Sequence, residues 1–321
     1  MALLEVRGLE VEFPLRASKL KALRGIDFTL DAGERLGIVG ESGAGKSMAA
    51  YAILNLISEP GRIGAGEIVF DGQVLNELSN EEMRHIRGNR IAMIFQDPMM
   101  TLNPVLTVGT QMVECLQAHR TISDKDAKAL AIQKLREVAI PSPDKRFDAY
   151  PHELSGGLRQ RVVIAIALLL DPAIIIADEP TTALDVTIQA EIMGLMMELC
   201  DNHQVGLILI THDLAVVSDV TQRMLVMYAG RVVEEGDTQE VIANPSHPYT
   251  KGLLQALPQK NEAGRPLNQI PGTMPSLADV PPGCAYNPRC DHADDRCRQE
   301  LPELRALNGG KVACHHAEKL T

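Results

Sequence analysis

The chain has 321 residues, a formal net charge of −11 and 45% hydrophobic residues, which suffices for one large domain plus an appendage. The acidic balance opposes nucleic acid as the main ligand, because a phosphate backbone rewards a basic surface. The longest apolar run, Val162 to Leu170, is stopped by Asp171-Pro172 and falls short of the roughly 18 residues that span a bilayer.

The start, Met1-Ala2-Leu3-Leu4-Glu5, lacks the basic and apolar regions of a signal peptide, so a cytoplasmic protein is expected. Six cysteines in a reducing compartment then read as free, metal-bound or redox-active thiols. With 3% aromatics and no Trp, the core must be built from Leu, Ile, Val, Ala and Met.

Strand patterns occupy residues 3 to 13 and 24 to 39. Phe13 sits at the end of the first. Leu36 to Val39 leads into Gly40-Glu41-Ser42-Gly43-Ala44-Gly45-Lys46-Ser47, a complete G-x-x-x-x-G-K-[ST] loop, with a helix-like run from Met48 to Ile57 behind it. Glycines let the backbone curl its N–H groups toward phosphate oxygens, and the helix start near Gly45 adds positive potential. Lys46 supplies charge for the β- and γ-phosphates, and Ser47 a hydroxyl for Mg²⁺. Residues 67 to 75 form another strand pattern around the turn Asp71-Gly72. A helical stretch runs from Val108 to Val138, broken at Thr121-Ile122-Ser123.

Leu154-Ser155-Gly156-Gly157-Leu158-Arg159-Gln160-Arg161 then precedes an apolar helix. Ser-Gly-Gly at a helix start is a second anion site, and two such sites in one chain suggest two chains sandwiching nucleotide. Ile174-Ile175-Ile176-Ala177-Asp178-Glu179 reads as a buried strand delivering Asp178 to Mg²⁺ and Glu179 to water. Strands alternate with helices through Leu207 and Met224, which predicts α/β with a mostly parallel sheet.

From Asn244 onward Pro density rises and periodicity fades, so a boundary is placed near residue 240. Cys284, Cys290, Cys297 and Cys314 lie in this segment, separated by five, six and sixteen residues. Four thiolates can make a tetrahedral site, but the short C-x₂₋₄-C pairs of zinc knuckles do not occur among them. His292, His315 and His316 lie nearby as replacement ligands or solvated side chains. Cys115 and Cys200 fall in helical patterns and read as buried thiols.

Taken together, the ordered motifs resemble the ATP-binding subunit of an ABC transporter. The resemblance implies a P-loop NTPase cassette: a RecA-like core, an antiparallel β subdomain near the N-terminus and a helical subdomain around residues 97 to 165. Residues 1 to 240 would be the nucleotide-binding domain and 241 to 321 an irregular extension. It implies adenine stacking by Phe13 (otherwise a core residue at a strand end), a Walker A loop from Gly40 to Ser47, and a Q-loop glutamine, Gln96, reaching Mg²⁺. It places the signature at Ser155, Gly156 and Gly157, with Leu158 where Gln is usual. Asp178 and Glu179 would be Walker B and the catalytic base, Asp185 the D-loop acid, and His212 the switch histidine. The loop after Gln96, Pro98 to Pro104 with Met99 and Met100, would meet the membrane partner.

Asn244-Pro245-Ser246-His247-Pro248-Tyr249-Thr250, Pro271-Gly272 and Gly283-Cys284-Ala285-Tyr286-Asn287-Pro288-Arg289-Cys290 are similar to the tail of dipeptide, oligopeptide and nickel import ATPases. That narrower resemblance implies a [4Fe–4S] cluster on the four cysteines, with zinc as the alternative. Its implied partners are a second, different ABC ATPase, two membrane permease subunits and, indirectly, an extracytoplasmic solute-binding protein, at the cytoplasmic face of the membrane. Two rivals stand beside it. A DNA-repair or translation ATPase is opposed by the acidic charge and by the 108 positions from Ser47 to Ser155, too few for a coiled-coil arm. A redox-sensing module is opposed by the complete catalytic motifs.

Overall fold

The computed structural model describes residues 2–15, 19–97, 101–182, 184–257 and 268–320. The chain divides into two compact units. One comprises residues 1–31, 35–77 and 209–321, the other residues 32–34 and 78–208.

The first unit contains a four-stranded antiparallel sheet of β1 (Leu4–Pro14), β2 (Lys19–Leu30), β4 (Arg62–Phe70) and β5 (Gln73–Val74), in the order β2-β1-β4-β5. On β1, Leu4 and Val6 are buried and then Leu9 and Val11, so the alternation slips by one residue. A register shift between Val6 and Leu9 in the pairing with β2 accounts for it, since one inserted residue returns the apolar side chains to the same face. The strand pattern read over residues 24 to 39 is two strands, β2 and β3 (Arg35–Val39), parted by the turn at Asp31–Glu34.

The same unit carries β3, β9 (Arg223–Tyr228), β10 (Arg231–Asp237), β11 (Arg305–Leu307) and β12 (Gly310–Val312), ordered β11-β12-β10-β9-β3. β3 and β9 are parallel, whereas β9 and β10 form a hairpin turned by Ala229-Gly230, both at positive φ. The C-terminal segment is not detached from this sheet. β12 pairs antiparallel with β10, Glu234 opposite Val312 and Glu235 opposite Lys311. Asn308-Gly309, also both at positive φ, turns β11 into β12. This Asn-Gly hairpin signal is present in the sequence, but strands of three residues carry too little periodicity to stand out. Among the described residues the strands are accompanied by helices α1 (Lys46–Ile53), α8 (Leu214–Val220), α9 (Thr238–Ala243), α10 (Pro248–Gln255), α11 (Asp295–Gln299) and the short α12 (Ala317–Leu320).

The second unit is mostly helical: α2 (Asn80–Ile86), α3 (Val108–His119), α4 (Asp124–Glu137), α5 (Pro143–Phe147), α6 (Gly156–Ala167) and α7 (Val186–His203). The break expected at Thr121-Ile122-Ser123 separates α3 from α4, and Ser123 caps α4 by accepting from the Asp126 N–H. Met112, Leu116, Ala127, Ala131 and Leu135 are fully buried along these helices. Parallel strands β6 (Ile91–Ile94) and β7 (Ile174–Asp178) complete the unit, in register from Ile91 opposite Ile174. Every residue of β7 is buried, as its unbroken apolar run requires. Strand β8 (Gly206–Thr211), also wholly buried, returns the chain to the first unit. Among the described residues, no helix is long and apolar enough to cross a membrane.

Candidate functional site

In the first unit, β3 delivers the phosphate loop and α1 receives it. Gly40 has φ 152°, and a Cβ there would sit 2.3 Å from the Met227 carbonyl oxygen, so only glycine lets the loop leave β3 alongside β9. Gly45, at φ 103°, is the N-cap of α1 without a side-chain cap bond, which leaves that helix start to external acceptors. Lys46 is buried, and its ammonium donates to the carbonyls of Gly40 (2.8 Å) and Glu41 (3.0 Å). Ser47 follows, half-buried.

His212 is exposed directly after β8. The flanking turn is fixed by Thr211 Oγ1, which accepts from the Asp213 N–H (3.1 Å), and by Asp213, which caps α8 through the Ala215 N–H (2.9 Å). Phe13 is half-buried at the end of β1. Its ring edge is close enough to Gly61 that a Cβ there would meet it at 2.5 Å, so part of the ring is engaged by the first unit itself.

In the second unit the structure brings two expected catalytic residues into contact. Glu179 stands just past β7 with φ 46°, a left-handed conformation that costs free energy in a non-glycine residue and turns its side chain out of the strand direction. Its carboxylate accepts from Gln96 Nε2 (3.1 Å) and from Thr182 Oγ1 (3.0 Å). Thr182 escaped the sequence reading, because a hydroxyl three residues beyond an acid in a turn carries no periodic signal. Asp178, the last residue of β7, is buried.

Ser155 caps α6, its Oγ accepting from the Leu158 N–H (3.4 Å). The contact uses the backbone of Leu158, so the unusual side chain there leaves the cap unchanged. Gly156 and Gly157 are half-buried, and a Cβ on Gly157 would lie 2.9 Å from Ile188 of α7. Asp185 caps α7 by accepting from the Ile188 N–H (3.0 Å), which gives it a local structural role. Ala183, Pro98, Met99 and Met100 lie outside the described residues.

The cysteines of the extension converge. Cys284, Cys290, Cys297 and Cys314 line one cavity with His247, His292, His315 and His316. All four sulfurs are free thiols. The Cys284 N–H donates to the Cys297 carbonyl (2.8 Å), an approach open because Gly283 has no Cβ: one there would lie 2.3 Å from that oxygen. Burial pushes the Cys284 thiol up to about 11, and Cys297, Cys314 and Cys290 around it add to the rise. The other three thiols are raised as well, burial being the first cause in each. Four crowded thiols can all ionise only beside a compensating cation, which is the chemistry of a metal site.

The donors found within 4.8 Å of one another are Asp294, Cys297 and His316. Asp294 caps α11 through the Cys297 N–H (2.9 Å) and pairs with His316 Nε2 (3.1 Å). Sequence reading missed Asp294, because an aspartate before a short helix is ordinarily only a cap. Cys115 and Cys200 lie in α3 and α7 of the second unit, half-buried and buried.

Comparison with known proteins agrees with these motifs. Residues 23–182 match the ABC transporter family, and residues 233–297 match the oligopeptide/dipeptide transporter C-terminal region. The dipeptide transport ATP-binding protein DppD of Haemophilus influenzae is 47% identical over 315 residues, 98% of this chain and 96% of that protein. The DppD of Escherichia coli strain K12 is 47% identical over 98% of this chain and 97% of its own length. A probable peptide ABC transporter ATP-binding protein, y4tR, of Sinorhizobium fredii is 47% identical over 97% of this chain and 93% of its own length. Among solved structures, the dimeric structure of MJ0796, a bacterial ABC transporter cassette, is 28% identical and superposes with a TM-score of 0.65 over 73% of this chain and 98% of that one. Phosphate loop, signature helix, Walker B strand and a matching C-terminal region over nearly full length place the chain in the ABC transporter family, as an ATP-hydrolysing importer cassette with the oligopeptide/dipeptide-type C-terminal region.

Proposed function

We propose that this cassette drives import of dipeptides or oligopeptides through partner membrane subunits. The observation that carries the cargo class is the match of residues 233–297 to the oligopeptide/dipeptide transporter C-terminal region, joined to full-length similarity with dipeptide transport ATP-binding proteins. In this reading residues 1–240 are the nucleotide-binding domain and 241–321 the extension. Gly40 to Ser47 hold the phosphates of ATP, Phe13 offers the free part of its ring to adenine, and Ser47 would offer its hydroxyl to Mg²⁺, while Asp178 and Gln96 keep the Mg²⁺ roles that the family resemblance implies for them.

The bond from Gln96 to Glu179 supports a joint role, one side chain sensing the γ-phosphate while the other takes the proton of the attacking water. The hydroxyl of Thr182 holds the same carboxylate in place. His212 contacts the γ-phosphate. Ser155, Gly156 and Gly157 present their helix start to the ATP of a second cassette, and Asp185 lies at that joint. A dimeric cassette of the same fold supports assembly of two cassettes, and the pairing of two different cassettes is what the importer resemblance implies. The cassette pair docks on two permease subunits at the cytoplasmic face, with a solute-binding protein selecting cargo outside.

Cys284, Cys290, Cys297 and Cys314 hold a [4Fe–4S] cluster in this reading. Four thiolates around one zinc ion would stand about 3.8 Å apart, following from a Zn–S bond of about 2.3 Å. Among the described residues Asp294, Cys297 and His316 lie within 4.8 Å of one another, and the lining of one cavity by all four thiols supports a centre that they share. When bound, the cluster supplies a cross-link among loops that bury little apolar surface of their own.

Reconstitution with the neighbouring permease and binding-protein subunits tests the transport reading. Labelled dipeptide should accumulate in vesicles only with ATP and an intact Glu179. Accumulation of an unrelated solute class, with peptides ignored, would sink it.

A further inference from the structure

The extension grips the phosphate loop at Glu41. Arg289 binds the Glu41 carboxylate with both terminal nitrogens, Nη1 to Oε2 at 2.7 Å and Nη2 to Oε1 at 3.0 Å. The Glu41 N–H donates to the Tyr249 hydroxyl at 2.8 Å. Main chain and side chain of one loop residue are therefore held by α10 and by the turn that precedes Cys290.

The grip is built rather than incidental. The Arg289 side chain is 4% exposed, and its Nε donates to the Pro271 carbonyl at 2.8 Å. The guanidinium carbon lies 5.9 Å from the ring centres of both Tyr228 and Tyr286. Tyr228, Tyr249 and Tyr286 pack on one another with centroids 4.7 to 5.5 Å apart, so the cation and the hydroxyl are fixed by a single aromatic cluster.

The chemistry of Glu41 gives this grip a purpose. A carboxylate in a loop that receives a triphosphate repels it, and the repulsion is strong where the loop is half-buried. A bidentate guanidinium cancels that charge and fixes the carboxylate in one direction. We propose that Arg289 and Tyr249 are positioning residues for ATP binding: the extension neutralises Glu41 and sets the shape of the phosphate loop.

Steady-state ATPase kinetics and direct titration with a fluorescent ATP analogue, on the full chain, test this. Arg289→Met keeps the packing stem and removes the charge. It should raise the ATP KM on the order of tenfold, with kcat changed about twofold or less because the variant spares Gln96, Glu179 and His212. Adding Glu41→Gln to Arg289→Met should bring most of that affinity back, since no carboxylate is left uncompensated. Tyr249→Phe, which keeps the ring and removes only the hydroxyl, should raise KM about threefold on its own, and it covers the case in which Arg289→Met does not fold. An unchanged KM in Tyr249→Phe, a fall in kcat at constant KM, or a double variant as weak as Arg289→Met would each overturn the proposal and leave the extension a scaffold.

Discussion

At the scale of single residues, the proposed roles separate binding from chemistry. Lys46 is buried at the head of α1 and already bonded to loop carbonyls, so its charge is fixed within the loop. Lys46→Ala should weaken ATP binding itself by about tenfold or more, read by nucleotide titration. Unchanged affinity would remove Lys46 from the phosphate site. Glu179 is proposed for the chemical step. The strained backbone of Glu179 and its bonds to Gln96 and Thr182 hold its carboxylate in one direction. Glu179→Gln should lower kcat by about 10²-fold or more while ATP stays bound, and normal turnover would refute its role as base. Asp178 and Glu179 stand out in the sequence because an apolar strand ending in two acids is a one-dimensional pattern, whereas Gln96 is picked out through the family resemblance alone. Thr182 is not legible there, because its role exists only once the turn is folded.

Among the elements, the informative ones are β10 and α10. Glu234 on β10 is buried and accepts from the Ser246 N–H (2.6 Å) and the His247 N–H (3.1 Å), so it anchors the entry to the extension. Burial raises its carboxyl above the usual range, and those donors oppose the rise. His247 caps α10 with Nδ1, accepting from the Tyr249 N–H at 3.0 Å. Burial pushes its imidazole down to about 3 from an ordinary 6.5. Between these values the unfolded chain holds a proton that the folded chain refuses. Stability contributed by His247 is therefore complete above about pH 6.5 and falls as pH drops toward 3, by up to about 1.4 kcal/mol per pH unit. Urea midpoints across this window should show the slope, and His247→Gln should flatten it. An equal slope in the variant would assign the acid sensitivity to other groups. Four thiols beside this histidine call for a second measurement: anaerobically purified protein should contain about four irons per chain, and Cys290→Ser should lower that number. One zinc per chain and no iron would move the centre to a structural zinc site.

For the whole molecule, the decisive expectation concerns assembly. The Glu179→Gln variant, mixed with ATP and its partner cassette, should form a stable two-cassette complex by light scattering, and removal of Mg²⁺-ATP should dissolve it. Formation of an equally stable homodimer without the partner would overturn the preference for two different cassettes. By itself the sequence determined the nucleotide chemistry and the α/β class: phosphate loop, signature and Walker B are local strings whose strand-before, helix-after context is also local. It also determined that four cysteines gather late in the chain. Only the tertiary structure decided what the extension is attached to. The pairing of β12 with β10, the buried Glu234 and the Arg289–Glu41 pair join positions 12 to 248 residues apart in sequence. No periodicity or motif spacing records such contacts. Their free energy comes from burying polar groups against specific partners, and those partners exist only after the chain has folded back on its own sheet.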